Sequence, residues 1–331
     1  MKVVIVGAGA IGGALAVKLA CAGHEVGVVA RGAQLDAIRR DGLTLLDPRQ
    51  RLAARVDASD APETFGVQDL VVLGVKAHQL GPLLPRLRGL LQPHSVVLPM
   101  LNGIPWWYFH GDDGPLARAP DGSVARIACL DGDGALAAAL DARHIVGCVV
   151  HAAAEVVAPG VIRANGQYRY IVGEPTQRAS ARVDALAAAL REAGGEVEVS
   201  ARIRDAIWMK LIGNASFNVI AALTRARMDQ ICANPELLEL VRGVMHELIA
   251  VTRACGCTPL VDVEQRIAIA RGVGAIKPST LQDVERGRRL EVQALLGAPV
   301  ELGRRAGVDM PLSGALLALL AELDRRLAPQ A

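Results

Sequence analysis

Lysine is the scarce cation of this 331-residue chain, with five lysines against 31 arginines. Arginine stays protonated under ordinary conditions, whereas a desolvated lysine can exchange a proton near neutral pH. One of the five, Lys210, lies in the apolar run Ala206-Ile-Trp-Met-Lys-Leu-Ile-Gly-Asn-Ala-Ser-Phe-Asn-Val-Ile. Asn214 and Asn218 follow it at i+4 and i+8, so on a helix the three project from one face with modest drift. Polar groups on an apolar helix are costly unless they find partners, on another helix or on a ligand. A structural network seldom needs lysine, which favours the ligand and makes Lys210 the candidate proton donor.

A second polar group lies in Lys277-Pro-Ser-Thr-Leu-Gln-Asp283, ahead of a helical run over 284–290 that leads into Glu291. Ser279 and Thr280 can cap that helix, with Asp283 reaching back from its first turn, so capping accounts for Ser279 and Asp283 without any ligand. Glu291, between Leu290 and Val292 in a helix that also carries Leu295 and Leu296, admits both a structural and a binding role.

At the other end of the chain, Gly7-Ala8-Gly9-Ala10-Ile11-Gly12 matches G-x-G-x-x-G. The first glycine makes the tight turn, the second lets backbone amides approach a pyrophosphate, and the third lets helix and strand pack closely. The helix N-terminus then faces the phosphates. NAD-binding chains usually place an acid at the end of the second strand. Here that residue is Arg31, whose guanidinium suits a 2′-phosphate through paired, charge-assisted hydrogen bonds, so NADPH is the expected cofactor. Lys76 could approach the cofactor's phosphates or adenine side, and Asn102, which opens an Asn-Gly turn, could orient the nicotinamide ribose or the substrate. Either residue alone could be ordinary surface. All four features fall at strand ends, where open α/β sheets gather their ligands.

The elements that position these residues are legible from periodicity. A β-branched run over 3–6, the glycines, a helical pattern through Ala20, and an alternating run over 24–30 make a βαβ unit. Further strands are expected at 70–75 and 96–101, with a helix over 79–91 between them. Alternating strands and helices imply a parallel sheet. Residues 106–125 read as a long loop or insertion. Strands over 145–157 and 168–173, joined through Pro159-Gly160, and a helix over 179–193 complete the first domain. From about Ser200 to Ala328 everything reads as helix, broken at Asn234-Pro235, Pro259, Lys277-Pro278 and Pro311. The expected fold is α/β: a Rossmann-type parallel-sheet domain over 1–200, followed by an all-α substrate domain over 201–331.

The bulk properties narrow the partners. The net charge of +2 is spread over mixed signs with no basic stripe, which argues against nucleic acid. No segment offers the ~18 uninterrupted apolar residues of a membrane span, and glycines break the apolar N-terminus, so a cytoplasmic setting without a membrane partner is expected. The six cysteines are scattered and read as reduced thiols. Cys255-Gly-Cys257 has no second ligand pair at a suitable spacing, so no metal is expected. The apolar helical domain could form a homodimer, although no self-complementary seam defines one.

Taken together, the glycine fingerprint, Lys76, Asn102-Gly103, Lys210-x-x-x-Asn214-x-x-x-Asn218, and Ser279-Thr-Leu-Gln-Asp283 with Glu291 resemble the ketopantoate reductases, over nearly the whole chain. The resemblance implies that Lys210 is the general acid that protonates the ketone oxygen of a small 2-keto acid reduced by NADPH. It further implies that Glu291 bonds a substrate hydroxyl, that Ser279, Asn214 and Asn218 hold the carboxylate and hydroxyl ends, and that Asn102 sits between nicotinamide and substrate. The aromatic stretch 105–109 and the loop after it depart from compact members of that family. Reduction of another branched 2-keto acid and a β-hydroxyacid dehydrogenase activity remain alternatives. A redox sensor that binds NADP without turnover is the reading from another class, and Lys210 would be dispensable in it.

Overall fold

The computed structural model describes residues 1–327, so Ala328, the end of the expected helical run, lies outside the described residues. The chain divides into two compact units, Met1–Leu101 with Ala135–Ile203, and Asn102–Gly134 with Arg204–Ala331. The segment 102–134, counted by sequence with the first domain, therefore clusters with the helices instead.

The first unit contains β1 (Lys2–Val6), β2 (Glu25–Val29), β3 (Leu43–Asp47), β4 (Gln50–Ala54), β5 (Asp57–Ser59), β6 (Leu70–Leu73), β7 (Val96–Pro99), β8 (Gly147–Ala158), β9 (Val161–Gly173) and β10 (Glu196–Val199). One sheet is wholly parallel, in the order β5-β2-β1-β6-β7. β1 has β2 on one side and β6 on the other, so the strand order reverses beside it, where doubly wound sheets open a ligand crevice. The all-apolar strands β6 and β7 are buried along their whole length, as expected of parallel strands covered on both faces.

A second, mixed sheet runs β10-β9-β3-β4, with β8 paired to β9. The β8–β9 hairpin turns through Pro159-Gly160, as the turn signal predicts. The helix α1 (Ala10–Cys21) packs against strands of both sheets and is buried from Gly12 to Leu19. A helix apolar on nearly every side, Lys18 apart, requires that kind of enclosure. The helix expected over 79–91 is instead three short pieces: a 3₁₀ turn Ala77–Gln79, an α turn Leu80–Leu83 and a 3₁₀ stretch Leu84–Leu90. Pro82 and Pro85 each remove an amide and clash with the preceding turn, which prevents one continuous helix.

The second unit is helical. Its longest uninterrupted α-helix among the described residues, Pro235–Ala254, is capped by Asn234, whose Oδ1 accepts from the amides of Glu236 and Leu237 at 2.9 and 3.0 Å. Two π-helical turns, at Asn214–Asn218 and Gln293–Gly297, interrupt the regular helical winding. The insertion is not a free loop at its aromatic end, because Trp106, Trp107, Tyr108 and Phe109 are all buried. Trp208 Nε1 donates to Tyr108 Oη at 2.8 Å, and the Arg204 guanidinium donates to the carbonyls of Tyr108 and His110, each at 2.7 Å. The stretch that departs from the family's compact pattern thus anchors the helix Ile203–Gly213.

Candidate active site

The sequence candidates fall into two groups, each within one unit. The first unit holds Gly7, Ala8, Gly9, Ala10, Ile11, Gly12, Arg31 and Lys76; the second holds Asn102, Lys210, Asn214, Asn218, Ser279 and Glu291.

In the first group, β1 ends at Val6 and Gly7 turns the chain with φ +104°, a left-handed value that glycine adopts without strain. A methyl group on Gly7 would meet the Gly74 carbonyl oxygen at 2.8 Å, and one on Gly12 would meet Ile5 Cγ2 at 3.2 Å, so strand and helix are in close contact. Around Gly9 a methyl group would meet nothing within 4 Å. Gly9 is also the N-cap of α1 and brings no capping side chain, so no side-chain cap occupies the first amides of the helix. Close packing at the outer glycines and open space at the middle one fit a pyrophosphate seated on that helix end. Gln34, which no sequence signal marks, links the glycine turn to the β8–β9 turn. It donates to the Ala8 carbonyl at 2.8 Å and accepts from the Gly160 amide at 3.0 Å.

Arg31 caps α2 (Gly32–Asp41) just beyond β2 and is exposed. Its guanidinium makes no hydrogen bond or ion pair among the described residues. Lys76 is partly buried at the start of the 3₁₀ turn that follows β6, and its amide donates to Gln79 Oε1 at 2.9 Å. All three positions lie beyond carboxyl ends of the parallel sheet.

In the second group, the apolar run around Lys210 is buried except on one side. From Ile203 to Ile220 only Met209, Lys210, Asn214 and Asn218 are partly exposed. The π turn explains why the stripe holds together better than an ideal helix allows. Four α-helical residues overshoot a full turn by about 40°. A π turn, closed by i→i+5 bonds, takes more residues per turn and cancels that overshoot between Asn214 and Asn218. The Ser216 hydroxyl, on the opposite side, donates back to the Ile212 carbonyl at 2.6 Å. The side-chain amides of Asn214 and Asn218 make no hydrogen bond among the described residues.

Asn102 and Glu291, far apart in sequence, come together: Asn102 Nδ2 donates to Glu291 Oε2 at 3.4 Å. Gly103, at φ +82°, makes the approach possible. Any Cβ there would collide with the Ala294 carbonyl, and the next amide, of Ile104, donates to that carbonyl at 2.9 Å. Glu291 is buried, with 8% of its surface exposed. It does not lie inside a helix, as expected, but immediately before one. The preceding helix Ser279–Glu285 stops before Gly287, at φ +62°, and Asp324 ties down the Leu290 amide at 2.7 Å. The Glu291 carbonyl then accepts from Leu295 across the new turn.

The capping expectation for Ser279 is corrected too. Pro278 holds the N-cap position without a side-chain bond, and Ser279 sits exposed in the first turn, its hydroxyl unbonded among the described residues. Lys277 is spoken for, because its Nζ donates to both Glu285 oxygens at 2.8 and 2.9 Å. No metal-ligating cluster exists among the described residues. Burial pushes the thiols of Cys255 and Cys257 up to about 12 and about 11, so both stay protonated and unreactive.

The one helical run among the described residues that is long and apolar enough to cross a bilayer, Ile203–Thr224, is 72% buried within the protein and carries the polar stripe, which is how a core helix passes such a test.

Comparison with known proteins adds to this geometry. The profile described as "Ketopantoate reductase PanE/ApbA" matches residues 3–105, and its C-terminal counterpart matches residues 202–324. A 2-dehydropantoate 2-reductase from Mesorhizobium japonicum is 44% identical over 324 residues, covering 98% of both chains. A solved structure from Ralstonia solanacearum MolK2, assigned to the ketopantoate reductases, superposes with a TM-score of 0.91 at 36% identity over 98% of each chain. D-Mandelate dehydrogenase, solved with NADH and anilino(oxo)acetate, shares the fold at a TM-score of 0.82 and 22% identity over 99% of each chain.

Proposed function

Because the chain belongs to the ketopantoate reductase family, we propose that it reduces 2-dehydropantoate to pantoate, an oxidoreductase step on a CH–OH group in pantothenate biosynthesis. The observation that carries this reading is the polar stripe. Lys210 lies on one face of a buried helix with two amides, of Asn214 and Asn218, that bond nothing among the described residues, in the same unit as the Asn102–Glu291 pair. Amides on a partly buried face are costly unless solvent or a ligand satisfies them.

The glycine turn and the amides of α1 hold the pyrophosphate of a nicotinamide dinucleotide, with Lys76 beside it. When bound, the reduced cofactor supplies hydride to the 2-keto carbon. Lys210 does the complementary work: its ammonium neutralises the charge that builds on the ketone oxygen and delivers the proton there. Glu291, held by Asn102, accepts from the substrate's hydroxyl. Asn214, Asn218 and Ser279 orient the remaining polar ends.

Arg31 makes the cofactor NADPH. Its guanidinium stands at the strand end where a 2′-phosphate would lie, with no acidic partner among the described residues. The test is cofactor oxidation over a panel of 2-keto acids, with NADPH and NADH, in wild type and Arg31→Ala. Wild type consumes NADPH with ketopantoate. The variant raises the NADPH KM roughly tenfold or more, the scale of a lost charge-assisted hydrogen bond, and leaves the NADH KM unchanged. Equal wild-type rates with both cofactors would refute the role of Arg31, and no turnover of any 2-keto acid would favour the sensor.

A further inference from the structure

The second unit contains a cation that neither the sequence motifs nor the proposed mechanism uses. Arg266 projects from the helix Val263–Val273 onto Gly213, the last residue of the helix that carries Lys210. A methyl group on Gly213 would meet Arg266 Cζ at 2.6 Å and Nε at 2.7 Å, so the guanidinium covers that glycine and no side chain larger than hydrogen fits between them. Gly213 is one turn beyond Lys210 and immediately precedes Asn214, which puts the guanidinium on the helix beside the polar stripe.

Nothing among the described residues neutralises it. Arg266 makes no side-chain hydrogen bond or ion pair there. The nearest acids along its own helix are engaged elsewhere: Asp262 caps the helix by accepting from the Gln265 amide at 2.8 Å, and Glu264 pairs with Arg242 at 2.6 Å. Burial pulls the guanidinium's pKa below its usual range, and no neighbouring carboxylate opposes that shift. A partly buried arginine without an anion costs free energy unless an anion arrives with the ligand. Two other arginines of this unit show the usual solution. Arg289 pairs with Asp324 at 2.8 Å, and Arg204 donates to two carbonyls.

We propose that Arg266 is the anchor for the carboxylate of the 2-keto acid, gripping it through paired N–H donors while Lys210 addresses the adjacent ketone oxygen. This rests on the reading of the stripe as the substrate face. A guanidinium fork matches the two carboxylate oxygens, and the keto oxygen of a 2-keto acid lies one carbon away from them. Ser279 and the asparagines are then left for the hydroxyl-bearing end. The anchor also makes the enzyme select acids over neutral 2-ketones, because an ester or amide at that position leaves the guanidinium unpaired.

Arg266→Met, which keeps the apolar stem packed on Gly213, is measured with ketopantoate and with its methyl ester, alongside thermal unfolding. The expected result is a KM for the acid raised roughly 10- to 100-fold, with the KM for NADPH, the kcat/KM for the ester and the unfolding midpoint little changed. The wild-type preference for acid over ester therefore collapses. If acid and ester fall together, or the acid's KM is unchanged in a folded variant that still reduces it, the anchor is wrong and the reductase reading stands. Calorimetric titration with ketopantoate separates the two in the other direction. Binding that wild type shows and the variant loses supports the anchor even without turnover, whereas a wild type that binds no 2-keto acid overturns both. If Arg266→Met does not fold, Arg266→Lys, which keeps the charge without the fork, is read the same way, with a smaller rise in KM for the acid alone.

Discussion

Lys210→Met lowers kcat with ketopantoate by about 10²–10⁴-fold, the usual contribution of a positioned proton donor, and leaves the affinity for the nicotinamide cofactor unchanged. In a chain that otherwise uses arginine, this lysine sits on a helix whose remaining residues pack a core, at one of the few positions left partly open. Methionine matches its stem and its apolar neighbours, so the folded structure keeps its packing while the proton donor is gone. The loss falls on kcat because the charge that Lys210 meets exists only as hydride reaches the ketone carbon. Single-turnover rates at saturating cofactor and substrate separate this step from binding and release. An unchanged rate would remove Lys210 from the chemistry and leave the proton donor to another group.

Trp208→Ala costs about 3–5 kcal/mol of stability, as truncation of a buried tryptophan usually does. Trp208 is fully buried, stacks edge-on against Tyr108 at a centroid distance of 6.5 Å, and donates its indole N–H to the Tyr108 hydroxyl. Burial pushes the Tyr108 hydroxyl well above its ordinary pKa, so it remains a neutral acceptor for that bond, and it also touches Cys257 Sγ at 3.5 Å. Removing the indole opens a cavity and takes away the stronger of this hydroxyl's two hydrogen bonds at once. The helix that presents Lys210 starts at these contacts, so activity should fall with the folded fraction. Chemical denaturation with near-ultraviolet detection measures the loss. A change below about 1 kcal/mol, the scale of an ordinary surface substitution or less, would mean that the aromatic stretch does not anchor the helix.

These two residues also mark how far the sequence can be read. Lys210, Asn214 and Asn218 are legible because polar residues at helical spacing stand out in an apolar run. The glycine fingerprint is legible because each glycine answers a separate steric demand. Features that depend on tertiary contact are not. The π turn at 214–218 leaves no compositional mark, yet it keeps the stripe aligned. The edge strands β4 and β10 are only five and four residues long, so the mixed Gln50–Ala54 and the brief alternation of Glu196–Val199 stand out little from loop. The aromatic residues 106–109 read as a loop because their partners, Trp208 and Arg204, lie about a hundred positions away. Capping rules misassign Ser279, since Pro278 takes the N-cap position and Ser279 falls one residue inside the helix. Arg266 is invisible for the same reason as the aromatics: one arginine among 31 is distinguished only by what it lacks around it.

Glu291, buried and bonded by Asn102, is the group we propose to receive the substrate's hydroxyl. That specificity is read most directly in the ratio of kcat/KM for ketopantoate to that for 2-ketoisovalerate, with NADPH as reductant. 2-Ketoisovalerate keeps the keto acid and lacks the hydroxymethyl group. A site that commits a buried carboxylate to a substrate hydroxyl rejects the analogue without it by a factor on the order of 10⁴. A ratio of that order in favour of ketopantoate is expected, and equal or reversed values would contradict the assignment of Glu291 and with it the substrate.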